Sequence, residues 1–163
     1  MKNLLRLMTT FILLIIGTWI YCETAEKRML MSYYDDYKKI VSEELGEPVP
    51  DAPYISIKFS VLPKNIIGRA YGMFEDDTID IRISRNFWQR MDDNTRRVFM
   101  YHELSHDVHR QTHCANNECI MFPSKSGMKI TDADTMLRTA INEHHECKQL
   151  QRFFFFGPIN EHN

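Results

Sequence analysis

Two histidines spaced one helical turn apart constrain this chain more than any other feature. They lie in the segment Tyr101–Cys114, YHELSHDVHRQTHC, which holds four histidines in all. On an α-helix, His102 and His106 lie about 40° apart around the axis and about 6 Å along it, so both imidazoles can bind one metal ion. Glu103 lies off that line, where its carboxylate can accept a proton from a metal-bound water. The spacing predicts a helix that carries a metal site.

A catalytic zinc site needs a third protein ligand and an open position for water. His113 can return to the ion if the chain turns after the helix, and we expect it to be the third ligand of one catalytic Zn²⁺. His109 shares the helical face but lies about 10 Å along the axis from His102, which is far for one ion. The remaining candidates are acidic residues near the C-terminus, Glu143 and Glu146.

The N-terminal segment has the pattern of an export signal. Lys2 and Arg6 precede an apolar run from Leu7 to Cys22, which is the order of charged and apolar residues in secreted proteins. The run of about 16 residues is short for a membrane-spanning helix. We expect residues 1–22 to be a signal peptide or membrane anchor and residues 23–163 to form one domain. The protein would then be secreted, periplasmic or tethered to a membrane; a buried core helix is the alternative.

Composition and charge narrow the function classes. The chain has 163 residues, 44% of them hydrophobic and 26% charged, which is typical of one globular domain. Its net charge of −2 provides no basic excess for binding nucleic acid. Export permits disulfides, and Cys114 and Cys119 are close enough in sequence to form one; the other cysteines are Cys22 and Cys147.

Hydrophobic periodicity predicts an α+β fold. Apolar residues at helical spacing predict a first helix that ends at Gly46, and a second helix over Asp93–His109. Between them, alternating residues predict strands over 54–62, 66–74 and 78–84, with a turn at Asp76–Asp77. A last helix follows Thr131, its expected cap. The apolar tail Phe153–Phe156 has no assigned role beyond a contact surface.

The segment from Tyr101 to Pro123 resembles the active site of metzincin metalloproteases. Their pattern is H-E-x-x-H-x-x-G-x-x-H, and His102, Glu103 and His106 match its first part. His109 stands where the family has a glycine, and one extra residue precedes the third histidine.

The same resemblance continues after the helix. Met121 stands where metzincins have their methionine-containing turn, the Met-turn. The pattern H-C-x4-C-x-M, which is similar to that of archaemetzincins, is matched by His113, Cys114, Cys119 and Met121. The resemblance implies a small zincin domain with an N-terminal helix, a mixed twisted sheet, an active-site helix, the Met-turn and a C-terminal helix.

The resemblance also implies a zinc-dependent metalloendopeptidase that acts on a peptide or protein substrate. Zinc held by His102, His106 and His113 would activate a water, with Glu103 as the general base. An edge strand would hold the substrate, and Thr78–Ser84 is the candidate unless it lies inside the sheet.

Other classes remain open at this point. They are a non-catalytic zinc-binding module of the cell envelope, an envelope interaction protein, a zinc hydrolase of a non-peptide substrate, and a solvated histidine face without metal.

Overall fold

The computed structural model describes residues 2–72, 78–123 and 127–146, and the side chains of residues 6–72, 78–123 and 127–143. Its elements in chain order are α1 (Lys2–Leu45), β1 (Tyr54–Ser60), β2 (Gly68–Ala70), β3 (Thr78–Ser84), α2 (Arg85–Trp88), α3 (Asp93–His109) and α4 (Ala133–Glu146). The predicted α+β class is confirmed, with helices packed on a mixed three-stranded sheet. Some predicted features lie outside the described residues: the turn at Asp76–Asp77, Cys147 and the tail Phe153–Phe156.

The first helix is continuous through the boundary that the sequence suggested near residue 22. Its second half packs in the core, where Leu30, Tyr37 and Val41 are almost completely buried. Its first half is different, because the large apolar side chains from Leu7 to Tyr21 are exposed. The alternative of a buried core helix is therefore wrong, and this apolar helix could serve as a signal sequence or a membrane anchor.

Strand β3 occupies the centre of the sheet. The strand order is β1-β3-β2, with β1 parallel and β2 antiparallel to β3. The expectation that Thr78–Ser84 forms an exposed edge is wrong, because both of its sides pair with neighbouring strands. Its three isoleucines are all buried on one face, which reflects the period of two that the sequence shows. The edge strand on the side that lines the histidine cavity is the short β2.

Helix α3 has the predicted bounds and a side-chain cap. The Asp92 carboxylate accepts a hydrogen bond from the Thr95 N–H at 2.7 Å, which satisfies one free amide of the first turn. Val98, Tyr101 and Leu104 bury one face of the helix in the core. This packing against α1, α4 and the sheet fixes the direction in which the opposite face presents its histidines.

The cap of α4 differs from the prediction. The Asp132 carboxylate accepts from both the Thr135 N–H and the Thr135 hydroxyl at 2.9 Å, so Asp132 caps the helix where the sequence suggested Thr131. The Thr131 carbonyl instead accepts a hydrogen bond from the Asn94 side chain on α3. This contact joins the beginnings of the two helices.

Candidate metal centre

Three imidazoles converge on the wall of a cavity of about 960 Å³. The Nε2 atom of His106 lies 3.1 Å from Nε2 of His102 and 3.2 Å from Nε2 of His113. In a tetrahedral zinc site with Zn–N bonds of about 2.0–2.1 Å, two ligand nitrogens are about 3.3–3.4 Å apart. The structure thus brings together the three predicted ligands at a spacing that could hold one metal ion.

Main-chain carbonyls orient the two helix imidazoles. His102 Nδ1 donates to the Ile120 carbonyl at 2.8 Å, and His106 Nδ1 donates to the Gln111 carbonyl at 2.6 Å. A carbonyl oxygen only accepts, so the hydrogen of each neutral ring is on Nδ1 and a lone pair is on Nε2. Two lone pairs therefore face each other across 3.1 Å. Neutral rings cannot hydrogen-bond in this arrangement, whereas a cation between them satisfies both.

Burial keeps these imidazoles unprotonated near neutral pH. It lowers the pKa of His102 to about 4, against the opposing effect of its hydrogen bond to Ile120. Burial also lowers the pKa of His106. A proton therefore does not fill the space between the two Nε2 atoms at pH 7. The rings are in the form that metal ions bind.

Glu103 lines the same cavity and is almost buried, with 7% of its surface exposed. Burial raises its pKa to about 7, although its hydrogen bond with the Ala70 backbone opposes this increase. The charge of Asp107 raises the same pKa further, and that of Arg69 lowers it. A carboxyl group with a pKa near 7 can both accept and release a proton at neutral pH.

The turn after α3 brings His113 back to the pair. Arg110 adopts a left-handed conformation with φ +51° and ψ 30°, and the Gln111 N–H donates to the Ser105 carbonyl at 3.1 Å. The same Gln111 supplies the carbonyl that orients His106. Arg110 thus makes the turn for which metzincins use a glycine one position earlier.

Replacing Arg110 with glycine should stabilise the protein by about 1 kcal/mol, because a residue with a Cβ is strained at this positive φ. Urea unfolding of chelator-treated protein measures the change. Arg110→Ala is the matched control, since it removes the guanidinium but keeps the Cβ. Equal stabilisation by both substitutions would assign the effect to the arginine side chain and contradict the backbone explanation.

A disulfide links the segment that carries His113 to the turn that follows it. Cys114 and Cys119 are joined, and the Cys114 N–H donates to the Met121 carbonyl at 3.1 Å. Met121 is completely buried in this turn. Its neighbour Ile120 supplies the carbonyl that orients His102, so the disulfide loop connects His113 with a group that fixes another ligand.

Removing the disulfide should therefore weaken metal binding. We expect the double variant Cys114→Ser, Cys119→Ser to lose about 10–100-fold in metal affinity, as changes to the groups that orient metal ligands generally do. Competition with a chromophoric chelator measures this affinity. Cys22→Ser changes an exposed, unpaired cysteine of α1 and is the control. Equal affinity in the double variant and the control would show that the loop does not position the ligands.

The alternative third ligands lie elsewhere or are not described. His109 is 3% exposed, and its ring lies 5.7 Å from that of Tyr37 on α1. It packs against α1, outside the cluster of His102, His106 and His113. Glu143 is exposed and lines a separate cavity of about 220 Å³. The side chain of Glu146 lies outside the described part of the chain.

Sequence reasoning missed the role of β2 in this site. Ala70 is bonded through its backbone to Glu103, and Gly68 lines the cavity. A Cβ on Gly68 would lie 2.1 Å from Cζ of Phe99, so the Phe99 ring on α3 would have to move if Gly68 were replaced. The glycines in the segment IIGRAYG were the available signal, since they permit close backbone approach.

Comparison with known proteins gives no match: no family model, curated protein or solved structure is significantly similar to this chain. The chemistry of the site therefore rests on its own geometry. That geometry offers three imidazoles around one point, a nearby carboxyl group with a raised pKa, and a cavity large enough for a substrate.

Proposed function

We propose that this protein is a zinc-dependent metalloendopeptidase with a metzincin-like site. The observation that carries the proposal is the convergence of three imidazole Nε2 atoms beside a buried carboxyl group. Neutral imidazole nitrogen is a preferred zinc ligand, and three protein ligands leave one coordination position for water. His102, His106 and His113 would hold the ion.

Zinc held by these residues would lower the pKa of a bound water to about 7 and would polarise the substrate carbonyl. Glu103 would accept a proton from the attacking water. It would then transfer this proton to the nitrogen of the departing amine as the C–N bond breaks. Burial raises the pKa of Glu103 in the metal-free site, which favours the protonated carboxyl group that the second transfer needs.

The free edge of β2 supports a peptide as the substrate. Hydrogen bonds of Tyr71 to Asp80 and of Ser84 to Ile67, each 2.8 Å, fix the register of β2 on β3. In an antiparallel pair, this register directs the backbone groups of Gly68 and Ala70 away from β3. The Ala70 N–H already bonds the Glu103 carboxylate, so an extended peptide would pair with the Gly68 groups and the Ala70 carbonyl by strand addition beside the metal site. We therefore assign to β2 the substrate-holding role that the sequence had suggested for β3.

The cavity also offers space for a substrate side chain. Its apolar lining comes from both sides of the site: Ile66, Val98, Phe99, Phe122, Met128 and Ile130. Burial of a large apolar side chain there would contribute about 1.5–3 kcal/mol to binding. A peptide with such a residue next to the scissile bond is the expected substrate.

We place the activity outside the cytoplasm. The exposed apolar half of α1 fits a signal sequence or a membrane anchor, and the Cys114–Cys119 disulfide fits an oxidising compartment. Secretion, a periplasmic location and membrane tethering all agree with these two observations.

The test is metal analysis of the purified full chain together with a peptidase assay. We expect one zinc per chain, cleavage of a fluorogenic peptide library, loss of cleavage with a chelator and recovery with zinc. Zinc without cleavage of any peptide would favour a non-catalytic module, and cleavage of non-peptide esters or amides alone would favour another zinc hydrolase. Protein without stoichiometric zinc after zinc addition would overturn the proposal.

A further inference from the structure

We propose that the loop of residues 61–65 rests on the same lipid bilayer that the apolar half of α1 enters. This end of the protein comprises the loop, Arg85 and nearby exposed cations. The position of the body on the bilayer does not depend on whether the protein hydrolyses peptides.

No linker separates the apolar half of α1 from the packed body. The apolar run ends at Cys22, and four residues later the Glu26 carboxylate accepts two hydrogen bonds from the Arg85 guanidinium, one of them 2.8 Å long. Four residues of helix span about 6 Å. The headgroup layer of one leaflet is about 5–8 Å thick. Arg85 must therefore lie at the level of the headgroups when the run fills the hydrocarbon core.

The length of the apolar run strengthens this conclusion. From Leu7 to Cys22 the helix measures about 24 Å, whereas the hydrocarbon core is about 30 Å thick. A short run is accommodated by local thinning of the bilayer or by flanking side chains that reach outward. Either response keeps the body of the protein against the lipid surface.

Sheet topology places the loop 61–65 at this same end. Arg85 directly follows β3, and β1 runs parallel to β3 with Ser60 opposite Ser84. The Arg85 guanidinium lies 4.4 Å from the centre of the Phe59 ring, which confirms that the end of β1 is beside it. The loop continues outward from that point.

The loop carries an apolar side chain that nothing in the described structure covers. Val61 is 98% exposed, more than any other large apolar residue in the described part of the chain, including those of the apolar run in α1. A single exposed valine has no significance alone. At headgroup level, however, its insertion among lipid chains would remove that surface from water.

The charges at this end fit an anionic lipid surface. Exposed cations lie in the loop, directly after Glu26 on α1, and two residues after α2: Lys64, Lys27, Arg28 and Arg90. An anionic membrane attracts basic residues near its surface. Of the acidic groups at this end, Glu26 is paired with Arg85, Asp92 caps α3, Asp93 accepts from the Tyr33 hydroxyl, and Glu23 is exposed. With Arg85, the five cations exceed these four acidic groups by one formal charge.

Spin labels on the reconstituted full chain test the proposal. Vesicles of phosphatidylcholine and phosphatidylglycerol receive Val61→Cys protein, or Glu47→Cys protein as the matched control, in a background with Cys22→Ser and Cys147→Ser. Residue 47 is also exposed but follows α1 at the opposite end of the body. We expect collision of the label with oxygen, relative to a water-soluble nickel complex, to be several-fold higher at 61 than at 47.

Two further measurements make the result decisive. A label at Ile15→Cys reports whether α1 is in the bilayer. The double substitution Lys64→Glu, Arg90→Glu reverses two of the charges that attract anionic lipid, so it should reduce the immersion of the label at 61. Equal accessibility at 61 and 47 overturns the proposal even if the label at 15 is in lipid. A label at 15 that is exposed to water overturns it together with the anchor. Neither outcome depends on zinc, so the proposed hydrolase is tested separately.

Discussion

Glu103→Gln should leave metal binding intact and reduce peptide hydrolysis by about 10²–10⁴-fold, the usual contribution of a positioned acid–base group. Glutamine preserves the size of the side chain, and its amide oxygen can still accept a hydrogen bond from the Ala70 backbone. It cannot accept the proton of the attacking water. Glu143→Gln is the control, because this carboxylate is exposed and lines a different cavity. Full activity in Glu103→Gln would exclude Glu103 as the base.

The same substitution should stabilise the metal-free protein at neutral pH. The pKa of Glu103 is about 7 in the folded state, above its ordinary value of 4.5, because burial disfavours the charge. The folded state therefore binds more protons than the unfolded state between these values, and stability falls as pH rises through that range. Removing the carboxyl group should increase the free energy of unfolding by about 2–3 kcal/mol at pH 7.5.

His102 gives this experiment a characteristic pH profile. Its pKa is lowered from 6.5 to about 4 by burial, so the unfolded state binds more protons between those values and stability rises with pH there. In the parent protein, the rise in stability with pH due to His102 offsets the fall in stability due to Glu103. In Glu103→Gln the fall is absent, so stability only rises with pH. Urea unfolding of chelator-treated proteins from pH 4.5 to 7.5 should show the divergence, and parallel profiles would contradict the assigned burial of Glu103.

Local periodicity explains why the metal pair and its helix could be predicted from sequence. Residues four apart share a face on any α-helix, so His102 and His106 needed only the helix to form. The cap at Asp92 and the apolar face of α3 are equally local. The bounds of α3 therefore agree with the prediction.

The strand order, the return of His113 and the cap of α4 depend on contacts between segments that are distant in sequence. The alternating isoleucines of β3 show that one face is buried, but whether both edges are paired depends on β1 and β2, which the pattern of β3 does not contain. The return of His113 requires a left-handed Arg110, and a glycine, which would have indicated such a turn, is absent there. Thr131 and Asp132 can both cap a helix. The Asn94 side chain bonds both the Thr131 carbonyl and the Ala133 N–H, and the helix begins at Ala133, so Asp132 occupies the cap position.

His113→Ala should lower zinc affinity by more than about 100-fold, the upper range for changes outside the ligand shell, because it removes one of three ligands. The folded state of the metal-free protein should change little, since His113 is exposed. Chelator competition gives the affinity, and urea unfolding of metal-free protein gives the stability.

His109→Ala is the matched control, with the same substitution four residues earlier. Its ring packs against Tyr37 between α1 and α3, so its loss should cost about 2 kcal/mol of stability and leave zinc affinity unchanged. The two variants should thus have opposite effects. His113→Ala should lose zinc affinity and keep its stability, whereas His109→Ala should lose stability and keep its zinc affinity. If His113→Ala keeps its zinc while Glu143→Ala or Glu146→Ala loses it, the third ligand belongs to α4. The turn at Arg110 would then serve only to end the helix, since no ligand would depend on it.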